Sequence, residues 1–320
     1  MAILDAAAIV GVDVAMAELV TAQRGVDKTH CLVNERTSIH HWLKTLPQGS
    51  AIALEATNTY HLDLVEMAHD MSHLVFVVDA ARVSKYRESL GKRAKTDACD
   101  AHLLARYLEK EGDELRQWSP PPELHTQLKH LLHRRASLVN SQTALRQGWK
   151  DEKDLRMGFE KLMRRFSHLI KDIEKQLKDV LIKSGEIDQV KRCQGIEGVG
   201  FLTATALFAA FLRGEFKNVD AYIAYLGLDL RVSDSGNKSG RRRLSKKGDP
   251  EVRRLGFNAS MAACRSATWK PYYEKKIGEG KARTEALTIL SRKLAGVAFS
   301  LMKKREEYDP TKRLGVAPQT

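Results

Sequence analysis

Lys95-Thr96-Asp97-Ala98-Cys99-Asp100-Ala101-His102 is the stretch on which the reading of this chain turns. Thr96 suits an N-cap, with a hydroxyl able to accept a backbone N–H from the first helical turn. Asp97 and Asp100 follow three residues apart, which puts both carboxylates on one helix face. Beyond them Leu103, Leu104, Tyr107 and Leu108 recur at helical spacing and supply an apolar side. Taken alone, two first-turn acids are no more than the helix macrodipole favours. They gain chemical meaning only if further acids arrive at the ends of buried strands.

The preceding residues supply them. Residues 8–14 form an apolar run of the kind expected in a central strand, and Asp13 interrupts it. An acid there is costly to bury unless it meets a cation. Residues 19–23 and 29–33, joined by a polar turn, predict a hairpin of two more strands. Ile39, Trp42, Leu43 and Leu46 predict a short amphipathic helix, ended by Pro47 and Gly49. Ala51 to Leu54 reads as a buried strand running straight into Glu55. A helical pattern from Tyr60 to Met71 and a strand from Leu74 to Val78 follow. Three antiparallel strands, then alternating helices and strands, then the helix of Asp97 and Asp100, fit a ribonuclease-H-like mixed sheet better than a parallel doubly wound one. Asp13, Glu55, Asp97 and Asp100 are then hard oxygen donors converging from different elements, a set suited to Mg²⁺ or Mn²⁺. Two such ions can stabilise both the attacking and the leaving oxygen of a phosphodiester.

Charge points the same way. The 320 residues carry a formal net charge of +13, so an acidic polymer, most simply nucleic acid, is the expected partner. Cys31, Cys99, Cys193 and Cys264 are scattered without a C-x-x-C pair, against a zinc site or disulfide scaffold and in keeping with a reducing cytosol. No signal segment and no bilayer-length apolar run is evident, so a soluble intracellular protein without a membrane partner is expected.

Trp118-Ser-Pro-Pro-Pro122 reads as a linker. Leucines at 124, 128, 131, 138 and 145 follow, and then Leu155, Phe159, Leu162, Phe166, Leu169, Ile173, Leu177 and Val180 at 4,3 spacing. Such a stripe predicts a helical hairpin or coiled coil, and packing within the chain and dimerisation both satisfy it. Gly195-Ile-Glu-Gly-Val-Gly200 before an apolar helix resembles a helix-hairpin-helix turn, in which Gly198 and Gly200 would let backbone N–H groups approach a phosphate. Residues 231–254 hold nine Lys or Arg against three Asp or Glu in a glycine-bearing, loop-like stretch. Arg231, Lys238, Arg241, Arg242, Arg243, Lys246 and Lys247 are its candidate phosphate contacts. The expected organisation is α/β plus α: a mixed-sheet domain at 1–117, a helical coiled-coil region at 118–190 and a mainly helical domain at 191–320.

Val12-Asp13-Val14, Leu54-Glu55-Ala56-Thr57 and the block from Gly91 to Ala101 resemble the three signature blocks of the DEDD-type insertion-sequence transposases. These are the RuvC-like, bridge-RNA-guided class that also contains the Piv DNA invertases. Leu226-Gly-Leu228, Ser235-Gly236 and Leu244-Ser-Lys-Lys-Gly248 resemble the C-terminal block of the same family. Asn58 stands where glycine is usual, and Asp79-Ala80 where Asn-Pro is common; neither is a proposed ligand. The resemblance implies a RuvC-like fold, Mg²⁺ or Mn²⁺ on the four acids, and a serine nucleophile placed at Ser235, with Ser239-Gly240 as the rival pair. It further implies DNA as substrate, a bridge or guide RNA, and action at the nucleoid in the cytoplasm. A homo-oligomer, dimer or tetramer, would let the acids of one protomer meet the serine of another. An alkoxide is hard to form near neutrality, so neighbouring arginines would have to hold the developing charge. The alternatives are a Piv-like site-specific invertase, a Holliday-junction-resolving nuclease that never uses the serine, and a nucleic-acid-binding scaffold whose acids are structural.

Overall fold

β1 (Ile9–Val14), β2 (Glu18–Gln23), β3 (Thr29–Val33), α1 (Arg36–Thr45), β4 (Ala51–Glu55), α2 (Leu62–Asp70), β5 (Leu74–Val78), α3 (Ala80–Ser89) and α4 (Asp97–Glu111) build the first of two compact units, Met1–Pro120. The computed structural model describes residues 6–91, 96–149, 154–231 and 243–311. The sheet order is β3-β2-β1-β4-β5. β2 runs antiparallel to β1 and β3, while β4 and β5 run parallel to β1 and to each other. This is the mixed sheet expected from the order of apolar runs.

Strand alternation divides the buried side chains between two faces. Val10, Val12, Ile52, Leu54 and Val75 pack with α1 and α2 residues such as Ile39, Leu43 and Leu64. Ala51, Ala53, Phe76 and Val78 pack with Val83 of α3 and with Leu103, Leu104, Tyr107 and Leu108 of α4. Gly11 lies at the contact with α4, and its missing side chain sets the spacing there. A Cβ at this position would stand 2.0 Å from the Ala101 carbonyl and 2.5 Å from the Ala105 nitrogen.

α3 is an element that the apolar pattern did not predict. Val83 is its one fully buried residue, so it carries almost no periodic signal. Asp79 starts it instead, accepting the Ala81 N–H at 2.8 Å. Trp118 completes the unit: its N–H donates to Val75 O at 2.7 Å and its ring meets His69 edge-on.

The second unit, Pro121–Thr320, contains α5 (Glu123–Gly148), α6 (Arg156–Lys183), α7 (Ile187–Gln194), α8 (Phe201–Leu212), α9 (Val219–Tyr225), β6 (Leu230–Arg231), β7 (Arg243–Leu244), α10 (Pro250–Ala263), α11 (Lys270–Gly278) and α12 (Arg283–Lys304). α8 is buried along nearly all its length, as a helix that is apolar all round must be. It is wrapped by α5, α7, α10 and α12. The residues expected to form separate regions at 118–190 and 191–320 thus share one core from Pro121 onward, with Leu128, Leu132, Leu177 and Leu181 packed with Phe208, Tyr222 and Phe299.

α5 and α6 form an antiparallel hairpin. Gln142 donates to Met163 O at 3.1 Å, and Arg135 pairs with Glu174 at 2.6 Å about two to three turns further along. The buried face of α6 is Met163, Ile170, Ile173, Leu177 and Leu181. The first half of the 4,3 stripe lies elsewhere on the helix, with Leu155, Leu162 and Leu169 exposed. No described helix is long and apolar enough to cross a membrane.

Candidate active site

Asp13 and Glu55 leave neighbouring strands at the same level, because Val12 pairs with Leu54 in the parallel ladder. α4 brings Asp97 and Asp100 to them in its first turn, close-packed on β1 through Gly11. Thr96 caps that turn as expected, its hydroxyl accepting the Cys99 N–H at 3.3 Å. The electrostatics report the convergence. The Asp13 carboxyl is pushed up to about 6, first by burial and then by the negative charges of Asp97, Asp100 and Glu55. A half-buried acid surrounded by three other acids resists ionisation unless positive charge is brought in.

Arg87 of α3 brings one such charge. Its guanidinium donates to Asp100 at 2.6 Å, with both side chains mostly buried. Among the described residues, no three His, Cys, Asp or Glu side chains already stand in a closed metal-binding arrangement. The donor set is nonetheless all hard oxygen, and Asp13 registers a deficit of positive charge. In chemistry these residues fit a divalent hard cation.

A further support of this site is not evident in the sequence. The Asn34 side-chain amide donates to Ala15 O at 2.8 Å and to Tyr60 O at 3.0 Å, tying the loop after β1 to the loop after β4. Asn58, in the second of these loops, has φ +47°. That left-handed backbone explains why glycine suits the position and why asparagine can replace it.

The basic stretch lies in the second unit. β6 and β7 pair Leu230 with Leu244 and Arg231 with Arg243. Below them the backbones of Gly227 and Gly248 cross: a Cβ on Gly227 would lie 2.4 Å from the Gly248 nitrogen. The Ser245 hydroxyl donates to Asp229, and the Ser245 N–H donates to Asp229 O at 2.9 Å. Arg231, Arg243, Lys246 and Lys247 are all exposed around this base. Ser235, Ser239, Lys238, Arg241 and Arg242 lie outside the described residues.

The glycine turn joins α7 to α8, two helices in contact, as a helix-hairpin-helix requires. Its glycines do different jobs. Gly198 has φ +88° and lies against α10, where a Cβ would stand 2.5 Å from the Ala263 nitrogen. Gly200 is the N-cap of α8 and has open space beside it. Glu197 pins the turn by accepting from Thr268 at 2.6 Å and from the Trp269 indole at 3.2 Å.

Residues 10–150 match a family model described as a transposase, of the DEDD IS110 type, and residues 190–274 match that of the transposase IS116/IS110/IS902 family. The chain belongs to the IS110 family of transposases. It is accordingly an enzyme of DNA recombination. Its relatives include the pilin gene-inverting protein of Moraxella bovis, 26% identical over 270 residues that cover 81% of each chain. The Moraxella lacunata protein of the same name is 25% identical over the same coverage. The transposase for insertion sequence element IS1111A of Coxiella burnetii is 31% identical over 144 residues, 43% of this chain and 39% of its own. The first match ends where α5 does, and the second takes in the α7–α8 turn and the basic stretch, so both candidate sites fall inside family segments.

Proposed function

We propose that this family member cuts and rejoins DNA strands with a carboxylate site on the first unit and a serine on the second. The observation that carries the reading is the raised Asp13 carboxyl, which senses Asp97, Asp100 and Glu55 together. Those four acids would hold Mg²⁺ or Mn²⁺, which supplies charge stabilisation at the attacking and leaving oxygens. Arg87 orients Asp100 through its 2.6 Å contact, and Gly11 keeps α4 close enough to present it. Ser235 is the nucleophile in this reading, with Ser239 its rival. Its Oγ bonds to phosphorus while the bond from phosphorus to one deoxyribose oxygen breaks, and the proton lost by the serine to solvent is matched by one gained at that leaving oxygen. One phosphodiester replaces another, so rejoining needs no added nucleotide.

Arg231, Lys238, Arg241, Arg242, Arg243, Lys246 and Lys247, together with the backbone at Gly198 and Gly200, serve as phosphate contacts. A bridge RNA selects the DNA, and the protein works as a homo-oligomer at the nucleoid. The exposed Leu155 at the N-cap of α6, with Leu162 and Leu169 on the helix, supports a dimerisation role for it. Site-specific inversion is the second reading, favoured by the coverage of the two pilin gene-inverting relatives.

A plasmid recombination assay with a denaturing gel tests the chemistry. Asp97→Ala and Ser235→Ala should each bind DNA yet give no recombinant, and Ser235→Ala should also lose the denaturant-resistant protein–DNA adduct. Cleavage intact in Ser235→Ala, with no adduct on any serine, would make water the nucleophile. Full recombination by Asp97→Ala would remove the metal-site reading.

A further inference from the structure

Within the helical unit, α5, α8, α9 and α10 enclose a cavity of about 450 Å³ at the foot of the basic hairpin. Of the residues already given a role, Lys247 alone lines it, and the carboxylate site has no part in it. Its floor is made by Ala206, Ala209 and Ala210 of α8, whose small side chains leave a slot. Tyr225, Lys129 and Lys247 stand at its rim, all three exposed. The volume lies within the range of small-molecule sites, roughly 300–1,000 Å³.

The electrostatics of the rim select the occupant. Its carboxylates are already engaged by the protein. Asp249 Oδ2 lies 2.6 Å from His133 Nε2, and Asp249 also accepts the Glu251 N–H at 2.9 Å. Glu251 is held by both arms of Arg254, at 2.6 and 2.7 Å. Burial alone would raise the Asp249 carboxyl, yet His133, that N–H and the charge of Lys129 outweigh it and hold the group below the usual range. His125 at the cavity wall is also held below its usual range, because burial and the charge of Lys129 disfavour its protonated form despite its contact with Ala209 O. The cavity therefore has an apolar floor, an aromatic edge and a cationic mouth.

We propose that this cavity is a nucleotide subsite: it takes one base unstacked from the bound strand, against Tyr225 and the alanine floor, with the adjoining phosphate on Lys129 and Lys247. Aromatic faces stack any base, and lysines at the mouth match the charge that must remain outside. The same chemistry could come from DNA or from RNA. The subsite rests on the nucleic-acid reading above and deepens it. It would fix one nucleotide of the strand at the base of the segment that carries Ser235.

Photo-cross-linking of the full-length protein tests this directly. The probes are two single-stranded oligonucleotides, one DNA and one RNA, each with a single 5-iodouracil in an otherwise mixed sequence. Peptide mapping should place a principal adduct on Tyr225, and the strand that gives it identifies the source of the base. Ala224 lines the cavity and is exposed, so Ala224→Trp should fill the slot without disturbing the core. That variant should lose about tenfold of the Tyr225 adduct, the scale of one base stack. Its strand affinity should stay within about threefold, because phosphate contacts elsewhere carry most of the binding. Lys129→Glu should weaken the Tyr225 adduct more than it weakens overall binding. Salt-dependent binding with no adduct on Tyr225, or an adduct unmoved by Ala224→Trp, overturns the subsite alone. No binding of either strand overturns the subsite together with the nucleic-acid reading.

Discussion

Replacing Gly11 by alanine should damage both the first unit and its carboxylate site. The new Cβ would stand 2.0 Å from Ala101 O, 2.5 Å from Ala105 N and 2.9 Å from Leu104 Cβ. Ordinary contact begins near 3.4 Å, so α4 would have to withdraw by about 1.4 Å, the difference between 3.4 and 2.0. Overpacking costs about 1–3 kcal/mol when side chains can adjust. Here two of the three obstacles are helix backbone, which puts the cost near the top of that range, about 3 kcal/mol. A melt of the full-length protein should show the first unit unfolding about 10 °C earlier, with amide exchange in β1 and α4 accelerated together. The same withdrawal carries Asp97 and Asp100 away from Asp13. Displacements near 1 Å can cost on the order of 100-fold at a reacting centre, so Mn²⁺ affinity followed by electron paramagnetic resonance should fall at least tenfold. A variant that melts within about 2 °C of the wild type and binds Mn²⁺ normally would refute the close packing of α4 on β1.

Arg87→Ala leaves the mostly buried Asp100 carboxylate without its cation, so metal-free stability should drop by about 1–3 kcal/mol while Mn²⁺ binds several-fold more tightly; a loss of Mn²⁺ affinity in calorimetric titration would contradict this. The Asp13 carboxyl sits at about 6 in the fold, above its ordinary 3.8. The fold therefore binds the extra proton, and that contribution to stability is present below pH 4 and lost as pH rises through about 6. Urea unfolding of metal-free protein should show this downward slope, Asp97→Asn should flatten it, and an equally steep slope in that variant would remove Asp97 as a cause. Leu155, Leu162 and Leu169 changed together to lysine should leave the fold intact and shift the protein toward monomer in sedimentation, whereas an unchanged oligomer would move the interface elsewhere.

How much of this could be read from the chain depended on whether the signal was local. β1, β4 and β5 were legible because short apolar runs in a chain of alternating helices have few other uses. Asp13 and Glu55 were legible for the converse reason, as acids set in such runs. Asn34 was not, because its partners are main-chain carbonyls 19 and 26 residues away. Arg87 was hidden similarly, 13 residues from Asp100 and on a helix with one fully buried residue. Gly11 was visible but mute, since a strand glycine can signal a bulge as readily as a close approach. On α6 two apolar rows interleave, and the regular 4,3 row is the exposed one over its first half. The glycine turn was found correctly as a turn between helices, yet the contact of Gly198 with α10 needs coordinates.

The backbone crossing of Gly227 and Gly248 makes the intervening stretch an interchangeable cassette. Entry and exit meet main chain to main chain, so whatever lies between them leaves α9 and rejoins α10 at a single point. Changes in length beyond the Leu230–Leu244 pair cost only the slow logarithmic increase of loop closure, because Leu228 and Leu244 stay packed on the core. A relative could therefore carry a longer, shorter or differently charged insert on the same scaffold. Exchange of the stretch between Leu230 and Leu244, with the buried Leu228 and Ser245 kept, is the natural unit for chimeras between family members that leave the core intact.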